Sequence, residues 1–143
     1  MKILAVDLGK VRTGIAVCDA KEILATPLTV IRETNRERLA EKIAELCKET
    51  GAAQIALGHP INMDGSQGES AKAAQEFALL LQGKCDLEVV LRDERGTTMT
   101  AHKYLNETDT RGKKRKEVVD AVSAVIILQD YLDYRRIHGL SSL

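Results

Sequence analysis

The chain has 143 residues, the length of one ordinary domain, and folding at that size buries roughly 68–70% of the unfolded surface, enough for a core without disulfides or a structural metal. Its 44% hydrophobic and 29% charged residues are those of a soluble globular protein. Twenty-one basic residues balance twenty-one acidic ones, which excludes a histone-like polycation or a polyacidic tail, and 3% aromatics without Trp argue against a face of stacked rings. Lys2 to Leu8 is an apolar run carrying Asp7 near its end, so it reads as a strand and not as a signal peptide. Gly9 and Gly14 bracket a turn, and Thr13 to Asp19 resumes as a second strand. Ile23 to Ile31 predicts a third, with Pro27 favouring an edge or a bend. Two hairpin-like connections in succession imply an antiparallel meander.

The period then changes. Thr34-Asn35-Arg36-Glu37 has the form of a capping box, and Leu39, Ile43, Leu46 and Cys47 follow at helical spacing until Gly51. Gln54 to Leu57 is a short buried strand. Ser66-Gln67-Gly68-Glu69 repeats the capping-box form before a helix with Ala73, Ala74, Phe77, Leu80 and Leu81. Leu87 to Leu91 predicts another strand, and Thr97 to Leu105 a short helix. Asn106 to Arg115 is almost without apolar residues and predicts an exposed, mobile loop. Glu117 to Tyr134 is apolar nearly all round, as in a helix buried against a sheet. With no repeat or linker, residues 1–143 read as one α/β domain, a mixed sheet in which an antiparallel meander is extended by parallel strands. Cys18, Cys47 and Cys85 are far apart without a CxxC pair, so they read as buried or free thiols in a reducing compartment. No apolar run approaches the ~20 residues that span a bilayer, which points to the cytoplasm and no membrane partner.

Three acidic positions invite chemistry. Burying Asp7 without a partner costs several kcal/mol, so it needs a cation, donors or a metal; alternatively it caps the turn at Gly9 and Lys10. The two glycines let backbone approach a phosphate, with Arg12 between them to supply charge. Asp93 and Glu94 close the last strand ahead of Arg95; either can face Asp7, or both can serve the start of the next helix. Asp120 lies among Val118, Val119 and Val122, where dipole stabilisation in a first helical turn is the plain alternative. Three carboxylates at one end of a sheet can hold Mg²⁺ or Mn²⁺, and a pair of such ions can promote phosphodiester hydrolysis. Arg111, Lys113, Lys114, Arg115 and Lys116 make five of six successive residues basic in a chain that sums to zero. Such a run is often solvated surface, yet here it leads into the Asp120 helix and suits a clamp on a phosphate backbone. The loop from Gly58 to Ser66 also precedes a helix N-terminus, a natural anion site. His59 in that loop reads as structural; His102 and His138 carry no signal.

Asp7-Leu8-Gly9 through Arg12 to Gly14-Ile15-Ala16, Gly58 to Gly65-Ser66, Asp93-Glu94-Arg95 with Thr97-Thr98, and Lys116 to Asp120 with Ile127-Leu128-Gln129 and Tyr131-Leu132 occur in one order. In these segments the chain resembles the YqgF or RuvX family of RNase H-like proteins, described as pre-16S rRNA nucleases and Holliday junction resolvase-like proteins. The resemblance implies an RNase H-like fold with helices on both faces of the sheet. It also implies a metal site at Asp7, Glu94 and Asp120, with Asp93 as the fallback ligand and Arg12 and Arg95 close by. Asp7 would bridge two ions, and Arg12, Arg95 and the run from Arg111 to Lys116 would hold phosphates. The implied activity is cleavage of nucleic acid in maturing the 5′ end of pre-16S rRNA, with a pre-ribosomal particle as possible partner and a monomer or homodimer as the working form. A four-way junction resolvase and a non-catalytic nucleic-acid-binding factor are the alternatives; an actin-like ATPase would need two such domains. Val11, Gly96 and His59 depart from the family pattern, where Lys, Leu and Leu are usual, and none removes a carboxylate.

Overall fold

The structure, a computed structural model, describes residues 1–60, 68–93 and 112–140, with the backbone alone for 112–120. The predicted helix at 97–105, the loop at 106–111 and the Ser66-Gln67 half of the second capping box lie outside the described residues. Strands β1 (Ile3–Asp7), β2 (Arg12–Cys18) and β3 (Ala25–Arg32) form the expected antiparallel meander. Helix α1 (Arg36–Thr50) leads to β4 (Gln54–His59), and α2 (Glu69–Cys85) leads to β5 (Glu88–Asp93). Both later strands add in parallel, so the sheet has five strands in the order β3-β2-β1-β4-β5. Helix α3 (Gly112–Ile137) completes the described elements. None of these helices is long and apolar enough to cross a membrane.

The strands separate two cores. Leu4, Val6, Ile55 and Leu57 pack with Leu39, Ile43, Phe77 and Leu81 of α1 and α2. On the opposite face Ile3, Ala5, Ala16 and Ala56 pack with Ala124, Ile127, Leu128 and Leu132 of α3. The small alanines of β1, β2 and β4 let the α3 backbone approach the sheet closely, and the mixed sheet carries helices on both faces as expected. Pro27 lies on the edge strand, next to the irregularity at Ile15/Ala16 where Ala16 pairs with Pro27 and Ile15 with Thr29. The missing Pro N–H is harmless there.

Two helix starts differ from expectation. The N-cap of α1 is Asn35 and not Thr34: the Asn35 side chain accepts from Arg38 N at 3.0 Å, as Asn does at least as well as Thr. Helix α2 starts after Gly68 without a side-chain cap. Gly51 closes α1 at φ 76°, a left-handed conformation that suits glycine, and its N–H donates to Cys47 O.

At the far end from Asp7, polar groups tie the meander to α3. Gln129 accepts from Ala25 N at 3.0 Å and donates to Ile23 O at 3.2 Å. Arg135 is ion-paired through Nε to the fully buried Glu22, whose other oxygen is 3.1 Å from the Met1 ammonium. Truncating Arg135 to Ala should cost about 3 kcal/mol in urea denaturation, the lower end for breaking a buried pair because the ammonium remains. Pairing Arg135→Met with Glu22→Gln should recover part of that loss. In the β2–β3 turn Asp19 accepts from Ile23 N at 2.8 Å and Leu24 N at 2.9 Å. These bonds, led by the one from Leu24, hold its carboxyl below the ordinary value. A depressed carboxyl stabilises the fold above its unfolded pKa and loses that effect as pH falls through the folded one. Asp19→Asn should therefore lower Tm at neutral pH, and the gap should close on acidification below about pH 4.

Candidate active site

Asp7 is half-buried at the end of a strand whose four preceding residues are wholly buried. Side chains alternate across a strand, and Ile3 and Ala5 belong to the core beneath α3. Asp7 therefore falls on the α3 face. The antiparallel register sets it opposite Gly14, which has no side chain to crowd the carboxylate.

The turn that follows is pinned from three sides. Gly9 N donates to Thr13 Oγ1 at 3.4 Å, Gly9 O accepts from Arg36 Nη1 at 2.9 Å, and Glu33 N donates to Val11 O at 2.9 Å. The Arg36 guanidinium also lies 5.9 Å from the Phe77 ring centroid. A Cβ at Gly9 would sit 1.9 Å from Arg12 O, a clash that requires glycine at this close approach. The turn thus holds Asp7 and the half-buried Arg12, first residue of β2, at fixed separation. Beside it lies a cavity of about 250 Å³ lined by Gly9, Lys10, Arg36, Pro60, Glu69 and Ser70, where the turn meets the exit of β4 and the first turn of α2.

Asp93 ends β5 and is exposed. Val90 joins the core beneath α3, and Arg92 places its guanidinium 5.1 Å from the Tyr131 ring and 4.5 Å from Tyr134 of that helix. Alternation consequently puts Asp93, with Val89, on the α1/α2 face, opposite to Asp7. Its register partner His59 shares that face. His59 is buried, with Nε2 3.2 Å from Gln75 Nε2 of α2, which suits the structural role assigned to it. His138 is exposed and stacks on Tyr134, and His102 lies outside the described residues.

Glu94, Arg95 and Arg111 lie outside the described residues. Asp120 and Lys113, Lys114, Arg115 and Lys116 belong to the backbone of α3. The basic run is therefore not a loop up to Arg115: the helix begins at Gly112. Lys, Arg and Glu are strong helix formers, so a stretch without apolar spacing can still be helical.

Two residues went unnoticed in the sequence. Arg36 enters the sequence reading only as an inner position of the first capping box, and its bond to Gly9 O depends on contact across 27 positions. Ser123 follows Asp120 by three residues, and its Oγ is buried without a hydrogen-bond partner among the described residues; an isolated Ser in an apolar helix gives no such signal. Among the described residues no three His, Cys, Asp or Glu side chains form a metal-binding group, since Glu94 and Asp120 have no described side chains. The half-buried Asp7 carboxylate and the buried Ser123 hydroxyl, three residues after Asp120 in α3, are oxygen donors, a chemistry that fits a hard divalent cation.

The family described as "RuvX: Holliday junction resolvase" matches residues 1–134. A Shouchella clausii protein named "Putative pre-16S rRNA nuclease" is 41% identical over 143 residues, covering 99% of this chain and 100% of that one. One of the same name from Clostridium beijerinckii is 41% identical over 133 residues, covering 93% and 96%. This chain belongs to the RuvX family. Among solved structures it is similar to Thermus thermophilus RuvC in complex with a Holliday junction, with TM-score 0.59 at 13% identity and coverage of 99% and 98%. It is also similar to the fowlpox virus resolvase with its junction DNA, at TM-score 0.54, 12% identity and coverage of 94% and 98%. The likeness establishes an RNase H-like fold for this RuvX chain.

Gly9→Ala tests the turn. The added methyl must displace Arg12 backbone, so the variant should lose about 1–3 kcal/mol in urea denaturation, as overpacked sites do. An unchanged midpoint would mean that the turn yields freely.

Proposed function

We propose that this RuvX chain is a metal-dependent nuclease that hydrolyses phosphodiester bonds in the cytoplasm, maturing the 5′ end of the 16S rRNA precursor within a pre-ribosomal particle. The observation that carries the reading is Asp7: a carboxylate at the end of the central strand, on the α3 face, beside a glycine turn and Arg12. Full-length similarity to proteins named as pre-16S rRNA nucleases supports the substrate.

In this reading Asp7, Glu94 and Asp120 would hold two Mg²⁺ or Mn²⁺ ions; Asp93, the fallback ligand expected from the sequence, faces the α1/α2 side and drops out of the set. The spacing of α3 supports Asp120, which lies three and four residues before Ser123 and Ala124, both buried against the sheet. When bound, such ions supply Lewis-acid charge at the scissile phosphate. The chain's own part is positional. Strand pairing fixes Asp7, and the pinned turn presents Arg12 to an adjacent phosphate. Arg95, Arg111, Lys113, Lys114, Arg115 and Lys116 neutralise the backbone of the bound strand, a sequence-independent and salt-dependent contact. The first turns of α3 add the positive end of a helix dipole to that charge.

Cleavage of a 5′-extended 16S rRNA precursor fragment, in parallel with Mg²⁺, Mn²⁺ and EDTA, tests the proposal. Wild type should cut with either metal and not in EDTA. Asp7→Asn should fold and cut at least about 100-fold more slowly, the order of one lost electrostatic contact to a transition state. A folded Asp7→Asn protein that keeps full metal-dependent cleavage would sink the role given to Asp7. The family description favours a second reading, a resolvase of four-way DNA junctions. Paired symmetric cuts need two sites in a two-fold dimer, so a protein that remains monomeric on junction DNA excludes it. RNA binding that survives EDTA, without cleavage by any divalent ion, points instead to a non-catalytic binding factor.

A further inference from the structure

We propose that Cys47 and Cys85 form a dithiol site that a low-molecular-weight disulfide oxidises to an intramolecular disulfide, tying the end of α1 to the end of α2. Cys47 lies in the last turn of α1 and is buried, and Cys85 is the last residue of α2 and half-buried. Both line one cavity of about 280 Å³, together with Lys48, Gly51, Ala52 and Leu87. There the two side chains are close enough for each to shift the other's protonation.

The backbone holds the pair in place. Each helix ends in a left-handed cap, Gly51 at φ 76° and Asp86 at φ 55°, whose N–H donates back to Cys47 O and Gln82 O respectively. The two sulfurs are therefore presented by rigid helix ends and not by loops. Cys85 is the entry point because it is the more exposed of the two, with Lys48 and Lys84 close in sequence or cavity. Their proximity favours the thiolate at Cys85 and the thiol at Cys47. Cys18 is the internal reference: it lies in the core on the other face, where its sulfur accepts from Ile3 N at 3.2 Å and burial pushes its thiol up.

The exchange runs in two displacements. The Cys85 thiolate attacks one sulfur of the small disulfide, breaking its S–S bond, forming a mixed disulfide and releasing one thiolate. Cys47 then gives up its proton and attacks the Cys85 sulfur, forming the intramolecular S–S bond and releasing the second thiolate. The protein loses two electrons and two protons, and the small disulfide becomes two thiols. Both cysteines lie where the helices lead into the starts of β4 and β5, which run parallel to β1. Asp7 is at the other end of β1, so the bond stiffens the sheet's entry end and leaves the candidate active site untouched.

The test incubates reduced protein with glutathione disulfide, then counts free thiols in denaturant and maps peptides by mass spectrometry. The count should fall from three to one, the remaining thiol being Cys18, with a Cys47–Cys85 cross-linked peptide and a higher Tm that reductant reverses. Cys47→Ser should stop at a glutathione adduct on Cys85, and Cys85→Ser should keep both remaining thiols. The proposal is overturned if wild type keeps three thiols, retains a glutathione adduct as its end product, or cross-links through Cys18 or between chains.

Discussion

Strand β1 is covered on both faces, and the rest of the architecture follows from that. Leu4 and Val6 enter the core under α1 and α2, while Ile3 and Ala5 enter the core under α3. With a two-residue repeat, a slip of one position would exchange the two sets and carry Asp7 to the wrong face. A carboxylate on the α1/α2 side would meet the aliphatic packing of Leu39, Ile43 and Leu57, where an unpaired charge costs several kcal/mol. Hydrophobic burial thus fixes the register, and the register fixes where the one acidic side chain of β1 points.

The position of α3 over that face is set by polar contacts along its length. Gln129 brackets the start of β3, Tyr131 OH donates to Gln54 Oε1 at 2.8 Å, and Gln54 donates on to Glu88. Arg92 of β5 lies over Tyr131 and Tyr134, and Arg135 meets Glu22. Each such bond contributes only about 1 kcal/mol net, but a buried donor left unpaired costs more. A rotated or shifted helix would orphan several at once. Apolar packing attaches α3 to the sheet, and these contacts fix its rotation and its register along the strands.

The two ends of the sheet carry different work. At the entry end of β1 lie the Glu22–Arg135 pair, the Cys47 and Cys85 cavity and the caps that end α1 and α2. At the exit end lie Asp7, the pinned turn at Gly9 and the cavity beside Arg36. Parallel strands place their carboxyl ends on one side, where loops can vary without disturbing the packed strands. Side chains that hold the fold and side chains suited to chemistry are thereby separated by the length of β1.

Most of the architecture was legible in the chain itself. The change from strand to helical period marked every strand and the two crossover helices, because burial imposes those periods on apolar residues. Asp7 and Arg12 stood out because a charge in or beside a buried strand needs a reason. Other features were not legible. Asn35 capping, in place of Thr34, and the early start of α3 at Gly112 depend on backbone bonds that adjacent residue types permit equally. Arg36 reaching Gly9, Asp93 turning from Asp7 and Cys85 meeting Cys47 are long-range facts. Amino-acid sequence by itself determined the elements, their order and the acidic residue at the end of β1, since these follow from local period and charge. Only the tertiary structure decided which side chains share a face, because that depends on strand register and helix rotation, and both are set by contacts between distant segments.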